Sequence, residues 1–201
     1  MTSQTATAIR PKTFAHVVYR TYRYEQMRDW YMAVFEARLQ CSGPVLSFMT
    51  YDDEHHRVAL LNLAAVKGGA PPVAECDVPR GRAGVDHVAY GFSSLRELLE
   101  KFDDLKNKGI EPYWCIHHGV TVSLYYADPD GNQMEFQVEC FESSDEANAF
   151  MNGPNFELNP IGVEYDPGDW LSRLRGGEPE QNFLPRTVQL PVSEVRGSAA
   201  G

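Results

Sequence analysis

Phe14-Ala15-His16-Val17-Val18-Tyr19 and Val85-Asp86-His87-Val88-Ala89-Tyr90 are one phrase written twice, and that duplication decides the fold. Each hexapeptide sets a histidine ahead of small or β-branched apolar residues and a tyrosine, the composition of a short strand. Each leads into an amphipathic stretch, Tyr24 to Leu39 after the first and Ser94 to Lys108 after the second. Met27, Trp30, Tyr31, Val34 and Phe35 fall on one helical stripe, and Leu95, Leu98, Leu99, Phe102 and Leu105 form its counterpart. Both stripes read as core. Ser93 or Ser94 suits the start of the second helix and Gly109 its end.

Short β-like runs follow each helix: Val45–Tyr51 and Val58–Leu63 in the first half, then Ile110–Ile116, Thr121–Ala127 and Gln133–Val138 in the second. The order expected is βαβββ, twice. The turns align as well, Tyr51-Asp52-Asp53-Glu54 falling where Ala127-Asp128-Pro129-Asp130-Gly131 falls in the second half. A gap-free register across this hairpin matches Asp52 with Asp128, His56 with Asn132 and Ala59 with Glu135. The expected organisation is an N-terminal tail with the first module over 1–63, a connecting loop over 64–84, and the second module over 85–140. A C-terminal extension over 141–201 carries short helices near Asp145–Met151 and Trp170–Arg175 and ends in a mobile tail. The fold class is α+β: two tandem βαβββ modules forming a pseudo-twofold open barrel around a metal site.

The chain has 201 residues with 18 basic and 28 acidic side chains, a net charge of −10. Such a field repels phosphate backbones and anionic bilayers, so neither nucleic acid nor membrane is an expected partner. Cys41, Cys76, Cys115 and Cys140 are scattered without a paired motif, which signals neither a zinc knuckle nor a disulfide framework. Met1 to Lys12 lacks an apolar secretory core. The expected compartment is the cytoplasm.

The repeat has a chemical consequence. His16 and His87 occupy equivalent points of two first strands, so a pseudo-twofold arrangement directs both imidazoles toward one centre. Glu135 lies on a last strand, and its twin is Ala59. A duplicated site of two histidines and two carboxylates is thereby reduced to His16, His87 and Glu135. Two histidines and one carboxylate leave several metal positions open, which suits Fe(II), with Mn(II) as the alternative, used with O2. A catecholate is the kind of anionic bidentate ligand such a site accepts.

On these residues the chain resembles the vicinal oxygen chelate superfamily, which includes glyoxalases, bleomycin-resistance proteins and dioxygenases, from Phe14 to Glu139. His55-His56-Arg57-Val58-Ala59-Leu60 is similar to the His-His-x-Ile/Val-Ala-Leu segment of type I extradiol ring-cleaving dioxygenases. Ile116-His117-His118, Leu124-Tyr125, Asp128-Pro129-Asp130-Gly131 and Glu135, at their spacing here, resemble the signature segment of the same family. The resemblance implies an Fe(II)-dependent enzyme that cleaves a small aromatic diol with O2. It implies that His56 handles protons and reduced oxygen, that His118 hydrogen-bonds substrate or a later intermediate, and that Tyr125 bonds a substrate oxygen. Strict alternation counted back from Ala59 would place His55, not His56, on its face, so the resemblance requires a bend ahead of that strand. His117 competes with His118 in the same way, and only Ile116 favours His118. Tyr113 and Trp114 suit either a substrate wall or the core of a strand.

A metal-dependent lyase or isomerase of glyoxalase type is the alternative; it would want a fourth protein ligand where Ala59 stands. A ligand-sequestering protein of the bleomycin-resistance kind is the third reading, and it requires no metal triad and no His56. Phe156, Leu158, Ile161, Val163 and Trp170 are too apolar to stand exposed together, so Asn155–Arg175 is expected to pack on the body or on a second subunit. A homo-oligomer is expected, a dimer first.

Overall fold

The computed structural model describes residues 9–72, 77–186 and 191–197. The chain divides into two units, Met1–Cys76 and Asp77–Gly201, with the boundary inside the expected connector. Residues 1–8, Cys76, and the parts of the expected tail at 187–190 and 198–201 lie outside the described residues.

The first unit runs β1 (Val17–Thr21), α1 (Tyr24–Phe35), β2 (Arg38–Ser42), β3 (Leu46–Thr50), β4 (Val58–Asn62) and α2 (Leu63–Lys67). Its sheet has the order β1-β4-β3-β2, with β1 parallel to β4 and the other pairs antiparallel. The stripe expected on α1 is the one buried: Met27 and Tyr31 pack with Met49, Val58 and Leu60 from one face of the sheet. The helix stops four residues earlier than its pattern suggested. Glu36 turns left-handed at φ 50°, and Ala37 N–H closes back on Met32 O. Residues 38–39, expected to be helical, instead begin β2, because Arg38–Ser42 finds a ladder on β3. Pairing between strands overrides helical periodicity here. Part of the expected connecting loop is α2, whose N-terminus is capped by Asn62 Oδ1 accepting from Ala64 and Ala65 N–H.

The second unit repeats the plan: β5 (His87–Gly91), α3 (Leu95–Asn107), β6 (Trp114–His117), β7 (Thr121–Ala127) and β8 (Gln133–Glu139). Its sheet, β5-β8-β7-β6-β9, has the same order with a fifth strand, β9 (Val163–Glu164), on the edge. Neither sheet closes on itself. Ser94 Oγ accepts from Glu97 N–H and starts α3, whose five expected leucine and phenylalanine positions are all buried.

The C-terminal extension carries α4 (Ser144–Met151), α5 (Pro154–Leu158) and α6 (Pro167–Arg175). The α6 part of Asn155–Arg175 packs on the second unit itself, whereas Leu158, expected to be covered, is 63% exposed. Leu171 and Leu174 are buried on α6, Arg175 pairs with Glu100 and Asp103 of α3, and Arg96 donates to Leu174 O. Glu180 accepts from Leu95 and Arg96 N–H at the start of α3. Within the last segment Phe183 and Arg186 are buried, and Ser193 Oγ accepts from Trp114 Nε1 at 3.0 Å. Among the described residues no helix is long and apolar enough to cross a membrane, and Cys41, Cys115 and Cys140 are free thiols.

Candidate active site

Strand pairing converts the sequence repeat into a structural one. Val18 lies opposite Ala59 in the first unit, and Ala89 lies opposite Glu135 in the second. His16, just ahead of β1, and His87, at the head of β5, therefore hold equivalent places, as do Ala59 and Glu135. The turns match too, since Asp52 Oδ1 accepts from Glu54 N–H and Asp128 Oδ1 accepts from Asp130 N–H, each at 3.0 Å.

The gap-free register fails at one point. Phe48 is opposite Ala59, whereas Tyr125 is opposite Glu135, so the twin of Tyr125 is Phe48 and not Met49. Tyr51 is the extra residue between β3 and the matching turn. Met49 points to the other face, fully buried against α1. The first unit thus lacks both the carboxylate and the phenol of the second.

In the second unit, residues directly opposite share a face of the sheet. Glu135, Tyr125 and Trp114 follow across β8, β7 and β6. Glu135 is 5% exposed, and its Oε2 lies 3.1 Å from His87 Nε2. The other ring nitrogen of His87 sits 2.8 Å from the carboxylate of Asp86. Hydrogen bonding to Glu135, with a further bond to Asp86, raises the His87 pKa to about 9 despite burial. Burial alone would raise Glu135, but hydrogen bonds from His87 and Ser123 outweigh it and hold the carboxyl below its usual range. The two shifts agree on a charged pair in the metal-free protein.

His118 and His117 part company at the end of β6. His118 Nε2 is 3.1 Å from Tyr125 Oη and 3.9 Å from Glu135 Oε1, and its ring stands edge-on to Trp114. Its Nδ1 faces Ile161 O. Burial lowers the pKa of His118, so it is neutral with Nδ1–H donated to that carbonyl. Nε2 then accepts from the Tyr125 hydroxyl. Burial, and next the charge of Glu135, raises Tyr125 well above the ordinary phenol range. His117 goes to the opposite face, where Nε2–H donates to Leu184 O at 2.9 Å and Nδ1 accepts Gly119 N–H at 3.0 Å.

In the first unit, His55 and His56 lie in a bend ahead of β4, so strict alternation does not extend to them. His56 stacks obliquely on His16 with ring centroids 4.4 Å apart and meets Phe48 edge-on. His55 projects outward, its side chain 75% exposed. Burial, and next the proximity of His16, lowers the His56 pKa.

Sequence reading passed over Asp86, though a carboxylate beside a candidate metal histidine is a visible signal. It also passed over Ser123 and the carbonyl of Ile161; a backbone acceptor has no sequence signature. Among the described residues, no group of three or more His, Cys, Asp or Glu side chains gathers at metal-binding distance within either unit. The donor chemistry of the second unit nevertheless fits a divalent cation. An imidazole nitrogen and a carboxylate oxygen sharing one proton are a pair that a metal joins by displacing that proton.

Two copies of βαβββ, with a histidine at the head of each first strand and a carboxylate on one last strand, define a duplicated α+β protein. The family model for the glyoxalase/bleomycin resistance protein/dioxygenase superfamily matches residues 13–136. The chain belongs to that superfamily. It is 51% identical over 166 residues to biphenyl-2,3-diol 1,2-dioxygenase 2 of Rhodococcus globerulus, covering 83% of each chain. It is 35% identical over 181 residues to biphenyl-2,3-diol 1,2-dioxygenase 3 of the same organism, covering 90% of this chain and 92% of that one. A glyoxalase/bleomycin resistance protein/dioxygenase from Nocardioides shares the fold at TM-score 0.50 and 22% identity, over 67% of this chain and 87% of that one.

Proposed function

We propose that this protein is an extradiol dioxygenase that opens the ring of an aryl catechol, in the class of biphenyl-2,3-diol, with both atoms of O2. The observation that carries the reading is the cluster of Glu135, His87, His118 and Tyr125 on one face of one sheet, in a chain about half identical to a biphenyl-2,3-diol 1,2-dioxygenase. The proposed metal ligands are His87 and Glu135 of the second unit and His16 of the first, with Fe(II) as the ion. When bound, that ion supplies acidification of a chelated diol and a route for its electrons to O2.

The remaining steps fall to side chains. Tyr125 keeps its proton, and a diol oxygen that has lost its own takes over that hydroxyl from His118 Nε2. His118 is oriented by Ile161 O and presents Nε2 on the substrate side as an acceptor. His56 is neutral beside His16 and is the group suited to take up and return a proton near the O2 position. Trp114 and Tyr113 pack around Tyr125 and supply a flat apolar wall for an aromatic ring.

A glyoxalase-type site finds a methyl at Ala59 and a phenyl at Phe48 where the first unit would supply its share. A homodimer remains part of the proposal, supported by β2, an edge strand exposed along its whole length; light scattering checks it. The activity is tested by anaerobic reconstitution with Fe(II), followed by a catechol panel watched for O2 uptake and a yellow ring-fission product. His87→Ala, Glu135→Ala and His16→Ala should each lose iron and turnover while staying folded. Full iron occupancy in His87→Ala, or no O2 uptake with any diol by iron-loaded wild type, would overturn the proposal.

A further inference from the structure

Arg57, one residue ahead of β4, and Gln133, at the head of β8, hold equivalent places in the two units, beside His16 and His87 respectively. Val17 pairs with Val58, which sets Arg57 beside His16, just as Gln133 pairs with His87. Their side chains make the same contact. Arg57 Nη1 donates to Ala15 O at 3.0 Å and to Phe14 O at 2.9 Å, and Gln133 Nε2 donates to Asp86 O at 3.0 Å. In both units the acceptor is the carbonyl of the residue just ahead of the histidine. Each donor is itself held: Arg57 Nε by Asp52 Oδ2 at 2.9 Å, and Gln133 Oε1 by the Tyr113 hydroxyl at 2.8 Å.

We infer that Arg57 and Gln133 are positioning residues that aim His16 and His87 at the metal, an assignment resting on the metal reading above. Neither needs to touch the ion. A carbonyl fixed one residue ahead of a histidine limits the rotation of the peptide that carries it, and with it the direction of the imidazole. The two units reach this with different chemistry. His87 has a second support in the Asp86 carboxylate on its Nδ1, whereas Ala15 offers no side-chain group to His16. Arg57 holds two successive carbonyls where Gln133 holds one. The restraint on His16 thus comes more fully from its backbone. Groups outside the direct ligands of a metal are commonly worth ~10–100-fold in affinity.

The test uses the full-length metal-free protein titrated anaerobically with Co(II), read by its d–d absorption, beside thermal unfolding of the same metal-free samples. Arg57→Leu and Gln133→Leu should bind Co(II) about 10–100-fold more weakly. Arg57→Gln, which installs the donor its twin uses, should stay within about threefold of wild type, inside the scatter of a single amide contact. Arg57→Lys, like Arg57→Gln, keeps one carbonyl contact and loses the bridge to Asp52, so it should match Arg57→Gln; Arg57→Ala takes the place of Arg57→Leu should that variant not fold. An unchanged affinity in both Arg57→Leu and Gln133→Leu, with His16→Ala clearly weakened, overturns this inference alone. Equal losses in Arg57→Gln and Arg57→Leu also overturn it, because the amide donor would then supply nothing. An unchanged affinity in His16→Ala instead overturns the metal reading beneath it.

Discussion

His117 should make the second unit begin to lose stability at a pH above the range in which carboxylates protonate. The ring is 5% exposed, and both nitrogens are committed, Nε2–H to Leu184 O and Nδ1 to the N–H of Gly119. Adding a proton at Nδ1 sets N–H against N–H in a buried site that also feels Arg186. Burial accordingly lowers its pKa to about 4, and the hydrogen bond to Leu184 only partly opposes this. The unfolded chain, with an ordinary value of 6.5, takes up its proton first as pH falls. The contribution of neutral His117 to stability is therefore complete above pH 6.5, declines between 6.5 and about 4, and is lost below that. A gap of about 2.5 units at 1.36 kcal/mol per unit amounts to roughly 3 kcal/mol over the window. Urea unfolding from pH 7.5 to pH 4 measures it, against His117→Gln, whose amide has a donor and an acceptor but does not titrate. Other groups titrate alike in both proteins, so the difference between the two curves isolates one proton, with a slope of up to ~1.4 kcal/mol per pH unit. Parallel curves, or an NMR titration of folded His117 near 6.5, would refute the reasoning.

Gly162→Ala should destabilise by about 2–3 kcal/mol or more in urea, since φ is +125° and a Cβ would stand 2.5 Å from His117 O. The same change displaces Ile161 O from His118 and should lower kcat. Glu180→Ala removes the acceptor for Leu95 and Arg96 N–H, costing about 0.5–2 kcal/mol and faster hydrogen exchange in the first turn of α3. His56→Phe should keep iron and diol binding yet lose ~10²–10⁴ in turnover, while His55→Phe stays near wild type; steady-state O2 uptake reads both, and the reverse ranking would sink the assignment. Tyr125→Phe should raise KM and lower kcat together by one hydrogen bond, worth roughly 0.5–3 kcal/mol according to the charge on the diol oxygen.

The doubled strand-and-helix phrase, the amphipathic stripes and the Asp-rich turns are local signals, and each was legible because period and turn chemistry act within a few residues. From them the sequence alone determined the α+β class and the twofold repeat, with Ala59 at the place where the second unit carries Glu135. Helix α1 was overextended because Arg38–Ser42 has no strong local preference; only its partner β3 makes it a strand. The twin of Tyr125 was not legible, since Tyr51 looks like any other turn residue until the ladder from Phe48 to Ala59 shows it to be inserted. His117 and His118 are adjacent and chemically identical, so composition does not separate them. Their division between two faces follows from the register of β6 on β7 and from two carbonyls, Leu184 and Ile161, supplied by a segment more than forty residues on. The tertiary structure decided those matters because long-range strand pairing and backbone acceptors fix where a side chain points, and neither is written in the identity of the residues that use them.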